Sequence, residues 1–247
     1  MTVALALLSL AATGPVAPQK AERPQPPIGS HIPRALGAHD PDTYQYTRKE
    51  SDQEFAAYSD CLVSSKSGER ASAAFLRMVP GSPGWGAAGK KLTTPTCLRT
   101  GFGRVTMRFN IVGLRPALFA AMYRRRFGKT PPVGFTDAPA LTLEAMYDGN
   151  VTAFPRAPLE QLRFGNCVAR NDATAVHRLL VARPWSEAEN AALPAVTDAM
   201  GKCLTQDQTL RLSRSDVRGV LAEAMYHLAS GRAASAVVAD AAATKGR

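Results

Sequence analysis

The patterns that announce an enzyme are missing from this chain of 247 residues. It contains no H-E-x-x-H, G-x-S-x-G, P-loop or G-x-G-x-x-G sequence, so motif-based arguments for a zinc protease, an α/β-hydrolase or a nucleotide-binding enzyme fall away. Cysteine is scarce, with four residues, and none stands in the C-x-x-C pairing typical of structural zinc sites. Aromatic residues make up 7% of the chain, too few among the basic residues to suggest stacking on nucleic-acid bases. Of the four histidines, His31 and His39 fall in a proline-rich segment, and His177 and His227 have no Glu or His at i+4. Neither a metal site, a catalytic thiol pair nor a cofactor is therefore expected. Long apolar runs are absent too, since the N-terminal run of about ten residues falls short of the roughly 20 that span a bilayer.

That run, residues 1–14, is uncharged, apolar and followed by small residues, although it lacks a basic start. It reads as a secretory signal peptide. Prolines crowd between Pro15 and Pro41, where apolar periodicity disappears, so residues 15–45 read as a disordered tether. The rest has ample apolar content for a core, at 45% hydrophobic residues overall.

An internal repeat organises the chain beyond this tether. Tyr58-Ser-Asp-Cys61 aligns with Phe164-Gly-Asn-Cys167, and Cys97-Leu98 with Cys203-Leu204. The segment from Thr106 to Tyr123 aligns with Thr209 to Tyr226, sharing seven of 18 positions: Thr106, Arg108, Arg115, Leu118, Ala121, Met122 and Tyr123 with their counterparts. The offset falls from 106 at the cysteines to 104 at Pro80/Pro184 and 103 in the last block, so small insertions separate the elements.

The expected architecture is mainly α: two tandem disulfide-linked helical modules, each with one short β segment. Copy one spans 46–127 and copy two 159–232, joined by a linker over 128–158 and followed by a flexible tail over 233–247. Each module should begin with two helices, Gln53 to Ser65 then Glu69 to Met78 in copy one, and Leu162 to Arg170 then Ala173 to Val181 in copy two. A third helix should run from Ser186 to Cys203, opened by the capping pair Ser186 and Glu189. Its counterpart from Ser82 to Cys97 contains Gly84, Gly86, Gly89 and Pro95, and should be shorter or broken. Val105, Met107 and Phe109 alternate with polar residues, as do Leu210 and Leu212, suggesting short strands that pair across a pseudo-two-fold axis. The last helix puts Leu114, Leu118, Ala121 and Met122 on one face, matched by Val217, Leu221, Ala224 and Met225.

Four cysteines at equivalent positions in an exported chain favour disulfides, and the repeat selects Cys61–Cys97 with Cys167–Cys203. Each would tie a first helix to a third. Among polar residues the copies share Arg108/Arg211 and Arg115/Arg218, which together with Tyr123 and Tyr226 suit structural tasks such as binding loop carbonyls or a carboxylate. The charge is uneven: residues 46–127 carry 14 Lys and Arg against five Asp and Glu, whereas 159–232 carry nine against eight. Lys90, Lys91, Arg104, Arg108, Arg124, Arg125 and Arg126 are thus candidate anion-binding residues.

The paired cysteines and the L-R-x-x-L-x-x-A-M-Y helix resemble features of an uncharacterised class of exported bacterial proteins, over residues about 50–230. That resemblance implies export and the two-module organisation, and names no activity. The leading expectation is a periplasmic or secreted non-catalytic binding or structural protein that meets an anionic envelope surface, or another envelope protein, through copy one. Nucleic acid is disfavoured as a partner by the export reading. The alternative is an envelope hydrolase with its site between the modules.

Overall fold

The computed structural model describes residues 47–98, 111–131, 135, 138–204 and 212–245, with side chains described as far as residue 231. The segments read as signal and tether, Arg99, Arg104, Arg108, Arg211 and nearly all of both expected β segments lie outside these residues.

Among the described residues the chain is helical. Copy one contributes α1 Arg48–Leu62, α2 Lys66–Arg77, α3 Trp85–Leu92, a 3-10 turn Pro95–Cys97 and α4 Ile111–Phe127. The connecting segment holds α5 Leu143–Met146 and a 3-10 turn Val151–Ala153, and copy two adds α6 Arg156–Asn171, α7 Ala173–Val181, α8 Glu187–Gly201 and α9 Arg214–Lys245. No strand occurs among the described residues; Leu212, the one described member of an expected β segment, is in irregular backbone, and the single bridge pairs Met78 with Asp148.

The helix starts have local causes. Thr47 and Glu50 form a capping box at α1, and Ser65, Asp172 and Ser186 each accept an amide hydrogen at the starts of α2, α7 and α8. The third helix of copy one is indeed curtailed, with eight residues in α3 against 15 in α8. It begins from Gly84 at φ 81°, a left-handed conformation that a side chain resists, and stops before Pro95. At Ser186 only half of the expected capping box forms. Ser186 Oγ accepts from the Glu189 amide at 3.2 Å, but Glu189 Oε2 accepts from the Trp185 amide at 2.6 Å.

Both disulfides join the residues that the repeat selects, Cys61 to Cys97 and Cys167 to Cys203, each across 36 positions. They bind α1 to the turn after α3, and α6 to the end of α8. Neither crosses between copies.

The copies share one core. α4 and α9 pack against each other at the centre; α1, α2 and α3 cover α4, while α6 and α7 cover α9 and α8 lies on α7. Leu114, Leu118 and Met122 from α4 are fully buried in one cluster with Leu221 and Met225 from α9. Each such side chain contributes on the order of 1.5–3 kcal/mol through its removal from water. Where the two helices cross, Pro116 meets Gly219: a Cβ on Gly219 would lie 2.4 Å from the Pro116 Cβ. These are equivalent positions in the repeat, which is where a pseudo-two-fold arrangement of the copies would bring them together.

Two stretches do more than sequence patterning suggests. Within the connecting segment, Phe135 is fully buried in the shared core, while Met146, Tyr147 and Phe154 form a satellite cluster with Val79 and Leu162. Too few apolar residues follow a helical period there to reveal this packing. The backbone of α9 also stays helical to Lys245 through the segment read as a tail, in keeping with its alanine-rich composition.

Candidate functional site

Of the polar residues shared by the copies, Arg115 and Arg218 close the second helix of each module. Arg115 Nη1 donates to the Leu76 carbonyl at 3.1 Å, in the last turn of α2. Arg218 donates to the Leu179, Leu180 and Ala182 carbonyls at 2.6, 3.3 and 2.9 Å, at the end of α7. Helix C-termini leave carbonyls without intrahelical partners and carry partial negative charge, which a guanidinium satisfies on both counts. The two arginines differ in their carboxylate. Arg218 pairs with Glu189 of its own copy at 2.9 Å, whereas Arg115 pairs with Glu223 of the other copy at 2.6 Å.

Glu189 is wholly buried and is held by Arg218 and Arg214 together. Burial pulls the Arg218 guanidinium down from its ordinary value, with Glu189 opposing that pull. Arg214 also lies 4.4 Å over the Trp185 ring, and Trp185 Nε1 donates to Asp52 of α1 at 2.8 Å. Burial raises the Asp52 carboxyl, partly offset by this hydrogen bond. Trp185 has φ 63°, a strained value for a residue with a side chain, and Gln53 bonds the neighbouring Pro184 carbonyl at 3.1 Å. The loop before α8 is thereby fastened to copy one.

A second polar cluster lies on the α4–α9 junction. Glu223 Oε1 accepts from Arg115 at 2.6 Å and from the Tyr147 hydroxyl at 2.5 Å. The His227 ring sits edge-on to Phe119 and to Tyr147, with centroids 5.4 and 5.3 Å away. Burial pushes its imidazole down to about 4, so it is neutral at pH 7. Elsewhere on the junction, His177 of α7 and Tyr123 of α4 share a 2.8 Å hydrogen bond between Nδ1 and the hydroxyl, and burial lowers that imidazole as well. Carboxylate, imidazole and phenol thus converge between the copies. Glu223 is bonded to Arg115 and Tyr147, and His177 to Tyr123, which makes the cluster a fastening.

The candidate anion-binding residues divide into three groups. Arg124, Arg125 and Arg126 are engaged within the chain: Arg124 with Asp60 at 2.6 Å, Arg125 and Arg126 with Glu69 at 2.8 and 3.1 Å. Those last two arginines hold the Glu69 carboxyl below its usual range. Arg124 also reaches the Leu180 carbonyl, and Arg126 donates to the Tyr226 hydroxyl at 2.9 Å, so this triplet links copy one to copy two. Lys90 and Lys91 are exposed in the last turn of α3, while Lys66 and Arg70 are exposed on α2. Arg104 and Arg108 lie outside the described residues.

Sequence reasoning missed Glu189, Glu223 and Tyr147. Glu223 left a trace, as a charge inside the apolar stripe Leu221, Ala224, Met225; Glu189 was visible only as a cap. Among the described residues no group of three or more His, Cys, Asp or Glu could hold a metal ion, and no helix is long and apolar enough to cross a membrane. No family model matches the chain, and no curated protein or solved structure shows significant similarity to it.

Proposed function

We propose that this is a periplasmic or secreted binding protein without catalytic activity, which attaches to an anionic component of the cell envelope through copy one. Disulfides form and persist in oxidising compartments, and the two found here support export. The observation that carries the reading is the division of cations in copy one. The arginine triplet is paired with two internal carboxylates, Asp60 and Glu69, whereas Lys66, Arg70, Lys90 and Lys91 are exposed and have no ion-pair partner among the described residues. Each basic residue near an anionic lipid surface contributes about 1 kcal/mol of attraction, screened by salt.

Cosedimentation of the mature protein with vesicles of phosphatidylglycerol and phosphatidylcholine, against phosphatidylcholine alone, tests this. Binding should require the anionic lipid, weaken with added salt and fall at least tenfold in a K66E/R70E/K90E/K91E variant. Equal binding to both vesicles, or a variant that binds as well as the parent, would overturn the proposal. Reversing Arg124, Arg125 and Arg126 is a poor test, because it breaks the internal pairs that join the copies.

A further inference from the structure

We infer that the junction between the copies is an acid-sensitive latch: protonating His227 releases α9 from α4 and from the segment carrying Tyr147, and leaves an expanded chain with its helices and disulfides intact. This inference does not depend on what copy one binds.

Geometry supplies the argument. His227 projects from α9 into the seam, is 9% exposed, and its Nε2 is buried with no hydrogen-bond partner. The charged and titratable groups facing it are Glu223 and Tyr226 from α9, Arg115 from α4, Arg77 from α2, and Tyr147 from the connecting segment. Arg77 is committed to Asp148 through three hydrogen bonds of 2.6 to 3.1 Å. Glu223, the carboxylate facing the imidazole, already accepts from Arg115 and Tyr147 on one oxygen. A proton on His227 therefore puts a third cation beside two guanidiniums, in a site walled by Phe119 and Tyr147. A buried charge without a dedicated partner is strongly disfavoured.

The sign follows from linkage. An imidazole in an unfolded chain titrates near 6.5, and in the native seam it is pushed down to about 4. Below about 6.5 the released form binds the proton that the closed form refuses, so the seam is fully stable above that pH and weakens as pH falls toward 4. His177, also lowered by burial, adds to the trend because its bond to Tyr123 crosses the same junction. The covalent links do not oppose release, since each disulfide lies within one copy.

The test is small-angle scattering and far-UV circular dichroism of the full mature chain from pH 7.5 to 4.0, with thiol counting at each end. Acid should increase the radius of gyration by about 10–20% with helical signal retained and no free thiols, the signature of an expanded compact state. H227F, which keeps an aromatic ring and cannot titrate, should shift the midpoint downward by at least half a pH unit; H227Q serves the same purpose if H227F does not fold. The shift separates His227 from the neighbouring carboxylates, which both variants retain. A constant radius throughout, or the same midpoint in the parent and the folded variant, would overturn the inference.

Discussion

Arg115 in copy one and Arg218 in copy two hold the same place in the repeat and close the same helix end, yet their ion pairs point in opposite directions. Arg218 turns inward to Glu189, and Arg115 turns across the seam to Glu223. The reason lies in what each copy lacks: the counterpart of Glu223 in copy one is Ala120, and the position matching Glu189 falls at Trp85. Divergence of the duplicated module thus moved its negative charge. Copy two holds its own carboxylate and a longer third helix, while copy one fastens itself to copy two.

The sharpest way to break this comparison is to remove each arginine in turn. Arg218→Met leaves Glu189 buried between fewer partners and should cost about 3–5 kcal/mol in urea unfolding. Arg115→Met should cost less, about 1–3 kcal/mol, because Glu223 keeps Tyr147 and is partly exposed. The reverse order would mean that the cross-copy pair dominates. The disulfides rank between these two, each contributing about 3–4 kcal/mol by chain entropy. Thermal melts should show C61S/C97S losing more than C167S/C203S, since eight-residue α3 has less helix to anchor the turn after it than 15-residue α8.

Close approaches between helices give smaller effects. Gly165 lies so near α9 that a Cβ would be 2.7 Å from the Val220 carbonyl oxygen, whereas its counterpart, Ser59 on α1, carries a side chain in a fully buried position. Gly165→Ser, which makes copy two resemble copy one, should therefore cost about 1–3 kcal/mol by overpacking, read as a lower urea midpoint at unchanged m-value. Least of all, K90E/K91E should change stability by no more than about 0.5 kcal/mol, because both side chains are exposed.

Much of the fold was legible because its signals are local or repeated. The four cysteines at matched offsets, the shared last-helix block and the glycines of the third helix led directly to both disulfides, a mainly helical chain and a short α3. The junction was harder to read, since it depends on contacts between residues about 100 positions apart, such as Arg115 with Glu223 and Arg126 with Tyr226. Net charge misleads at the arginine triplet for a related reason: Asp60 and Glu69 are distant in sequence but adjacent in space. Sequence counts charges, and the fold decides which of them are already spent.

The central claim is that two copies of one module share a single core. The chain's two tryptophans report on it separately, Trp85 stacked on Phe75 within copy one and Trp185 in copy two. Urea unfolding at pH 7.5 of W185F and W85F, followed by the remaining tryptophan and by far-UV circular dichroism in each variant, is the direct test. Within each variant the fluorescence and helical transitions should coincide in midpoint and m-value, because α4 and α9 cannot be exposed one without the other. If Trp85 and Trp185 each reported a transition displaced from the helical one, one copy unfolding while the other stayed native, the shared core would be contradicted.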